Sequence, residues 1–160
     1  MPQHELQSLT RPVTAIKRPL QRLRSIRAAD LALLAEAVAS LTSASLKVRY
    51  LPFRRITRLI ERRVISARSR PAQPGRLRWA VEAAARRLPL RTKCIEQALC
   101  LQVMLSRRGL ASTLHYGIRR GPDGEISAHV WLTLDGAIVI GGEAAPQFTC
   151  VATFETQPAA

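Results

Sequence analysis

Two side chains, Cys94 and His129, have the chemistry and the predicted positions of a reactive pair. Cys94 follows Thr92, a good N-cap, so it falls in the first turn of a predicted helix. The free amides and the dipole of a helix start favour negative charge, which makes a thiolate available near neutral pH. His129 lies in a predicted strand, and an imidazole can accept and return a proton near pH 7. The pair therefore predicts nucleophilic thiol catalysis, with Cys94 as nucleophile and His129 as base.

The other cysteines and histidines are weaker candidates. His115 is the competing base, but polar residues flank it in its strand, and His4 lies in the N-terminal arm. Cys100 sits inside an apolar run and Cys150 lies near the C-terminus, and both are predicted to be core residues. Three cysteines make no disulfide framework and fit a reducing cytosol.

A third group should orient the imidazole, and the sequence leaves its identity open. Asp135 lies six residues from His129, which is about 20 Å along a strand, and it occupies a predicted hairpin turn. If that turn has two residues, Gly142 lies across from His129. A bulge at Gly141 and Gly142 would then swing the carboxylate of Glu143 toward the ring. Glu143 is preferred on geometry, with a backbone carbonyl as the alternative holder of the ring.

The elements that must position these residues begin with helices, because apolar residues recur at steps of three and four. The first helix follows Asp30 for about 20 residues and ends at Pro52. Its predicted inward stripe is Leu34, Val38, Leu41, Ser45 and Val48. A second helix turns its apolar residues inward and its arginines outward. The inward set is Ile56, Leu59, Ile60 and Val64, and the outward set is Arg54, Arg55, Arg58, Arg62 and Arg63.

A linker and two further helices lead to the reactive cysteine. Residues 69–75 (S-R-P-A-Q-P-G) are predicted to be the linker. The third helix ends at Pro89, and the fourth runs from Thr92 to about Arg108, where Gly109 closes it. The inward positions of the third helix are Leu77, Val81, Ala84 and Leu88.

Beyond Gly109 the apolar period changes to two, which predicts strands. Strands are expected at 113–119, 126–134 and 137–140, with a fourth at 147–154, and Asp135-Gly136 is a strong hairpin signal. The predicted class is α+β: N-terminal helices, then a papain-like core in which the catalytic helix packs on a small antiparallel sheet. With no Gly-rich phosphate loop and no zinc-ligand spacing, the sequence predicts neither a bound cofactor nor a metal.

The charge is distributed unevenly along the chain. Residues 1–93 hold 21 of the 25 Lys and Arg but 5 of the 11 Asp and Glu, a net charge of +16, whereas residues 94–160 carry −2. The predicted organisation is a basic flexible arm (1–29), a basic helical segment (30–75) and the core (76–160). Aromatic residues make up only 4% of the chain and no recognition motif appears, so no specific nucleic-acid partner is expected. No long run of uncharged apolar residues appears, so a membrane-spanning helix is not expected either.

Several motifs in order resemble the lasso-peptide leader peptidases, which are microcin-maturation proteases with a transglutaminase-like core. The motifs are C-I-E-Q-A-L (94–99), L-S-R-R-G-L (105–110), Y-G-I-R (116–119), A-H-V-W (128–131) and D-G (135–136), with A-E-A (35–37) and L-P-F-R (51–54) upstream. The resemblance covers residues 30–154. It implies a cysteine protease with a Cys-His-acid triad that removes the leader from a ribosomally made precursor, before macrolactam cyclisation in antibiotic biosynthesis.

The resemblance also implies site residues and partners. Cys94 becomes the nucleophile and His129 the base. The family's acid is an aspartate late in the next strand, where this chain has I-G-G-E (140–143), which leaves Glu143 and Asp135 as candidates. The chain looks like the stand-alone protease half, which works with a separate leader-recognition protein and a lasso cyclase. Any dependence on ATP is expected to come from those partner proteins and not from this chain. The expected location is the bacterial cytoplasm, or the inner membrane face where partners assemble.

Two other functions stay open. A transglutaminase-like acyltransferase would use the same Cys94 and His129 to transfer an acyl group to an amine. A basic binding module with a vestigial site would not need Cys94, and its affinity for polyanions would fall steeply with salt.

Overall fold

A computed structural model describes residues 28–61, 73–89 and 92–156. The described residues form four helices: α1 (Ala28–Tyr50), α2 (Phe53–Glu61), α3 (Pro74–Arg87) and α4 (Cys94–Ser106). Helix α3 starts at Pro74, so Gly75 belongs to its first turn and not to the linker as predicted. Nearly all of the predicted arm and residues 69–72 of the linker lie outside the described residues.

The strands that follow the helices form one antiparallel sheet in the described part of the chain. They are β1 (Thr113–Arg120), β2 (Ile126–Leu134), β3 (Ala137–Ile140) and β4 (Thr149–Glu155), in the order β3-β2-β1-β4. A short 3-10 helix (Ala145–Gln147) connects β3 to β4. The predicted α+β class, with helices before a small antiparallel sheet, is confirmed.

Helix α1 packs on α3 and α4 through its small residues. Ala37 and Ala44 are buried, whereas Val38, predicted to face inward, is 38% exposed. The predicted stripe was therefore wrong at Val38, although Leu41 is fully buried as expected. Alanine side chains allow helices to approach closely. The surface where α1, α3 and α4 meet therefore buries the alanines of α1, and the larger Val38 stays outside it.

Helix α2 packs on the sheet near β4. Ile56 and Ile60 are buried as predicted, but Leu59 is 45% exposed, which corrects its predicted inward position, and Val64 lies outside the described residues. At the start of the helix the Phe53 ring contacts Tyr116 in a tilted arrangement and Phe154 edge-to-face, with ring centroids 5.2 Å and 5.9 Å apart. Such aromatic pairs add to the stabilisation from buried area alone.

Helix α4 lies at the centre of the molecule. Leu101 and Leu105 are fully buried, and Leu132 and Leu134 of β2 belong to the same core. At its C-terminal end Arg108 binds Glu36 of α1 through both carboxylate oxygens, at 3.1 and 2.6 Å. The helical segment and the sheet thus share one core, while the predicted division into an arm, a helical segment and a core stays a prediction.

The β2–β3 hairpin follows the predicted turn but not the predicted register. Asp135 and Gly136 both have positive φ, 50° and 79°, as a two-residue turn that matches strand twist requires. Thr133 pairs with Ile138, but Leu132 pairs with Ile140, so the extra residue is Val139. The bulge lies there, not at the two glycines as predicted, and the pairing ends at Ile140.

Helix α1 meets the length and apolarity of a membrane span, contrary to the expectation from sequence. It has 23 residues and a mean hydropathy of 1.4 over its most apolar window. Buried core helices and N-terminal signal sequences meet the same criteria; 22% of the apolar window of α1 is buried, on the side that belongs to the shared core.

Candidate active site

Cys94 occupies the first position of α4. The N-cap is Lys93, one residue later than the predicted Thr92, whose hydroxyl instead accepts a hydrogen bond from Gln97 Nε2 at 3.3 Å. Cys94 is half-buried and packs against the edge of the core. Of the first-turn amides, that of Glu96 already donates to the Lys93 carbonyl at 3.1 Å, whereas among the described residues the amides of Cys94 and Ile95 have no backbone acceptor.

Glu96, two residues after Cys94, holds the helix start in place. Its Oε2 atom accepts hydrogen bonds from the Lys93 amide at 3.0 Å and from the Ser45 hydroxyl at 3.1 Å. The first bond caps the helix, as a glutamate at the third position commonly does, and the second ties the helix to α1. Glu96 was not singled out from the sequence, although its spacing from the cap is the usual signal.

The ring of His129 is held by a backbone carbonyl. Its Nε2 atom lies 2.8 Å from the Gly141 oxygen, and a carbonyl can only accept, so Nε2 carries the hydrogen. The basic nitrogen is then Nδ1. Gly141 has φ of 78°, and a Cβ there would lie 2.7 Å from the Val130 oxygen, so the position requires glycine.

The two predicted acids lie differently with respect to this ring. Glu143 is exposed and borders the same cleft as His129, but among the described residues it makes no hydrogen bond to the ring. Asp135 is exposed in the hairpin turn, at the far end of β2 from His129. Neither carboxylate accepts the hydrogen bond from His129 Nε2, because the Gly141 carbonyl accepts it.

Aromatic rings surround His129. The centroid of the His129 ring lies 5.1 Å from that of Phe148 and 6.2 Å from that of Trp131. Trp131 shares its sheet face, as predicted, because side chains alternate along a strand. Gly117 pairs with His129 across the strands, and a Cβ on it would lie 2.7 Å from the Trp131 ring. Gly117 and Phe148 are supporting residues that the sequence analysis missed.

A cleft of about 560 Å³ opens beside His129. Arg78 and Glu82 of α3 and Gln97 of α4 form one side, and Glu82 accepts a 2.6 Å hydrogen bond from Arg78. The other side consists of Ile138, Ile140 and residues 141–144. The cleft volume lies within the range that is typical of small-molecule and cofactor sites. In the residues that the structure describes, no group of three or more metal-binding side chains is found.

Of the predicted pair, His129 lines this cleft and Cys94 does not. Gln97, one turn after Cys94 on the same side of α4, borders the cleft together with His129. Cys94 itself does not line the cleft, and within the described ranges no hydrogen bond joins its sulfur to the ring. At this cleft the structure therefore places His129 and the helix turn that follows Cys94, but not Cys94 itself.

The remaining cysteines differ in exposure. Cys100 is fully buried as predicted, and burial raises the pKa of its thiol to about 12. Cys150 is exposed, so its prediction as a core residue was wrong. A bulge in β4 leaves Thr149, Cys150 and Val151 all exposed, a break in alternation that the sequence pattern does not reveal.

The model of the transglutaminase-like superfamily matches residues 37–153, which is most of the chain. The chain belongs to the transglutaminase-like superfamily. This superfamily usually carries out cysteine-based catalysis, as peptidases or as acyl transferases. The matched range spans the described helices from within α1 as well as the sheet. No curated protein and no solved structure matches the chain.

Proposed function

We propose that this chain is a cysteine peptidase that removes the leader from a ribosomally made lasso-peptide precursor before macrolactam cyclisation. Superfamily membership supports thiol acyl transfer, and the ordered motifs support the leader-peptidase branch. The observation that carries the catalytic assignment is the bond from His129 Nε2 to the Gly141 carbonyl, which leaves Nδ1 free to act as base.

In the proposed reaction the Cys94 sulfur attacks the scissile carbonyl while His129 Nδ1 takes the thiol proton. The backbone amide of Cys94 is the proposed donor to the negative oxygen, because the start of a helix favours negative charge. The imidazolium then protonates the leaving amine, and water activated by the same nitrogen hydrolyses the thioester. In the absence of substrate the thiol and the imidazole need not touch, since catalytic contacts often tighten only in the complex.

The third catalytic residue is proposed to be Glu143, because it borders the cleft beside His129. Since the Gly141 carbonyl already accepts from Nε2, the role of Glu143 would be to stabilise the imidazolium and not to orient the ring. Asp135 is the alternative from the motif comparison. We expect Glu143→Gln to lower kcat about tenfold or more, the usual scale for a general acid-base partner, and Asp135→Asn to have no effect on kcat. If neither substitution changes kcat, the Gly141 carbonyl is the orienting group by itself.

The proposed partners follow from the leader-peptidase assignment. They are the precursor leader, a separate leader-recognition protein and a lasso cyclase, and any ATP dependence belongs to these proteins. This chain is proposed to bind no cofactor or metal, and no specific nucleic acid. We place it in the bacterial cytoplasm, with the inner membrane face as the site of an assembly held by partners.

The decisive experiment combines purified chain, recognition protein and precursor, with the products identified by mass spectrometry. Leader and core fragments are expected, and Cys94→Ala should abolish them because the nucleophile is lost. Cys150→Ser is the matched control and should leave cleavage intact. Cleavage by Cys94→Ala protein would contradict the proposal and favour a basic binding module with a vestigial site.

The superfamily match also supports an acyltransferase as the second candidate. Both functions share the thioester on Cys94 and differ in what resolves it. With an added primary amine, an acyltransferase forms an amide adduct in preference to two peptides. Mass spectrometry of the same reaction with and without the amine separates the two functions.

A further inference from the structure

A second thiol and imidazole lie together away from the cleft. Cys150 Sγ is 3.8 Å from His115 Nδ1, which is within reach of a sulfur hydrogen bond. The other acceptor near this thiol is the Ala152 carbonyl at 3.5 Å. Cys150 is exposed, so a small reagent reaches the sulfur from solvent.

The hydrogen-bond chain around His115 determines which ring nitrogen faces the sulfur. With the ring hydrogen on Nε2, Thr133 Oγ1 accepts from His115 at 2.9 Å and donates its own hydrogen to the Thr113 carbonyl at 3.4 Å, so this tautomer satisfies both contacts. Nε2 therefore carries the ring hydrogen, and Nδ1 presents a lone pair to Cys150. The ring is also fixed by stacking on Trp131, with centroids 5.3 Å apart and planes 3° from parallel.

The charge state of His115 suits a base. Desolvation by burial lowers the pKa of its imidazole, although the nearby Glu155 carboxylate acts in the opposite direction. The neutral ring, which can accept a proton, is thus the dominant form at neutral pH. Thr153 and Trp131 are the residues paired with His115 on the two adjoining strands, and neither carries a charge.

We propose that Cys150 is a site of reversible thiolation by small disulfides, with His115 as its base and Thr133 as the residue that positions the base. The Cys150 sulfur attacks one sulfur of the disulfide while its proton passes to His115 Nδ1. A new bond forms between Cys150 and that sulfur, the old S–S bond breaks, and the leaving thiolate takes the proton from His115. No other oxidant is required, and a free thiol reverses the exchange by the same path.

The test measures the rate of mixed-disulfide formation with oxidised glutathione at pH 7.5, in the Cys94→Ala background, by intact mass and peptide mapping. We expect Cys150 to react about tenfold faster in the folded chain than in urea, because only the folded chain holds His115 beside it. His115→Asn should remove that advantage, and Thr133→Val should reduce it while the imidazole is retained.

Circular dichroism of each variant separates loss of the base from loss of the fold. Cys94, measured in the Cys150→Ser background, serves as the internal control and should react equally with and without His115→Asn. Equal rates for Cys150 in folded and unfolded chains would overturn the proposal, as would a folded His115→Asn variant that retains the full rate. Neither result bears on whether Cys94 cleaves a precursor.

Discussion

At the level of single residues, the best-defined feature of the candidate site is the tautomer of His129. The Gly141 carbonyl accepts from Nε2, and this carbonyl is placed by a backbone conformation that only glycine adopts without strain. The sequence suggested that the two glycines were special, because they follow a short strand. It could not reveal which of them would hold the ring, since that depends on a bulge two residues earlier.

Gly141→Ala should impair the site by displacing this carbonyl. The positive φ costs about 1–3 kcal/mol for alanine, and the added Cβ would also meet the Val130 oxygen at 2.7 Å. We expect kcat for precursor cleavage to fall about tenfold or more, because small misplacements of catalytic groups are costly. Gly142→Ala is the matched control, since Gly142 has no positive φ and its Cβ would meet only side-chain atoms of the exposed Ile138, the nearest at 3.0 Å. Equal kcat for the two variants would remove Gly141 from the positioning role.

The three thiols should differ widely in reactivity. Burial raises the pKa of Cys100 to about 12, so it forms almost no thiolate at pH 8, whereas Cys94 and Cys150 are accessible. Titration with a chromogenic disulfide should release one equivalent per accessible thiol, and the third only after urea is added. Rapid reaction of Cys100 in the folded chain, located by peptide mapping, would contradict its burial.

At the level of elements, the sequence predicted the helices and strands well because their periods differ clearly. The switch from period 3.6 to period 2 after Gly109 and the Asp135-Gly136 turn are local signals, and both match the structure. The wrong predictions of burial and of strand register concern features that depend on packing between elements. Val38 and Leu59 are apolar but exposed, because the partner surfaces accept Ala37 and Ile60 instead. The bulges at Val139 and in β4 likewise arise from strand pairing.

The ion pair between α1 and α4 should make stability depend on pH. Burial alone would raise the pKa of Glu36, but hydrogen bonds and the charges of Arg108 and Arg107 outweigh it and hold the pKa below 4.5. A carboxylate whose pKa is lower in the folded than in the unfolded chain stabilises the fold at any pH above its unfolded-state pKa. This stabilisation is lost as the pH falls through the folded-state pKa. Arg107 is 57% exposed, so Arg108 supplies most of the effect.

Glu36→Gln should therefore lower the free energy of unfolding by about 1–2 kcal/mol at pH 7, with the difference shrinking below pH 4.5. Urea denaturation at several pH values measures this. Asp123→Asn, an equal charge change in an exposed turn, is the control and should have little effect. A difference that persists unchanged at pH 3 would mean that Glu36 acts through packing and not through its charge.

At the level of the whole molecule, the exposed arginines of α2 and the candidate cleft lie on different elements, although Arg78 of α3 also borders the cleft. Arg54 and Arg58 are exposed on α2, whereas the cleft lies between α3, α4 and the end of β3. A charged face distant from the reacting groups is suited to docking, because it attracts an acidic partner without altering the site. We therefore propose that α2 docks an acidic partner, and the candidates are the proposed recognition protein, leader and cyclase.

Reversing Arg54 and Arg58 to Glu should weaken association with the acidic partner about tenfold or more at low salt, and less at high salt. The reaction rate of Cys94 with a small thiol reagent should not change. The control reverses Arg86 and Arg120, which are exposed elsewhere, so that net charge changes equally. Equal weakening in both variants would show that net charge, and not the α2 face, governs docking, and a slower Cys94 would show that α2 supports the fold.

The position of Trp131 between two imidazoles gives the molecule an optical signal of its own. The indole stacks on His115 at 3° and on His129 at 22°, and a protonated imidazole quenches indole emission. The second tryptophan, Trp79, is 40% exposed on α3 and can be replaced by phenylalanine. A Trp79→Phe chain would then report, through the intensity of its fluorescence, each proton that reaches either histidine, and would do so without a substrate or a label.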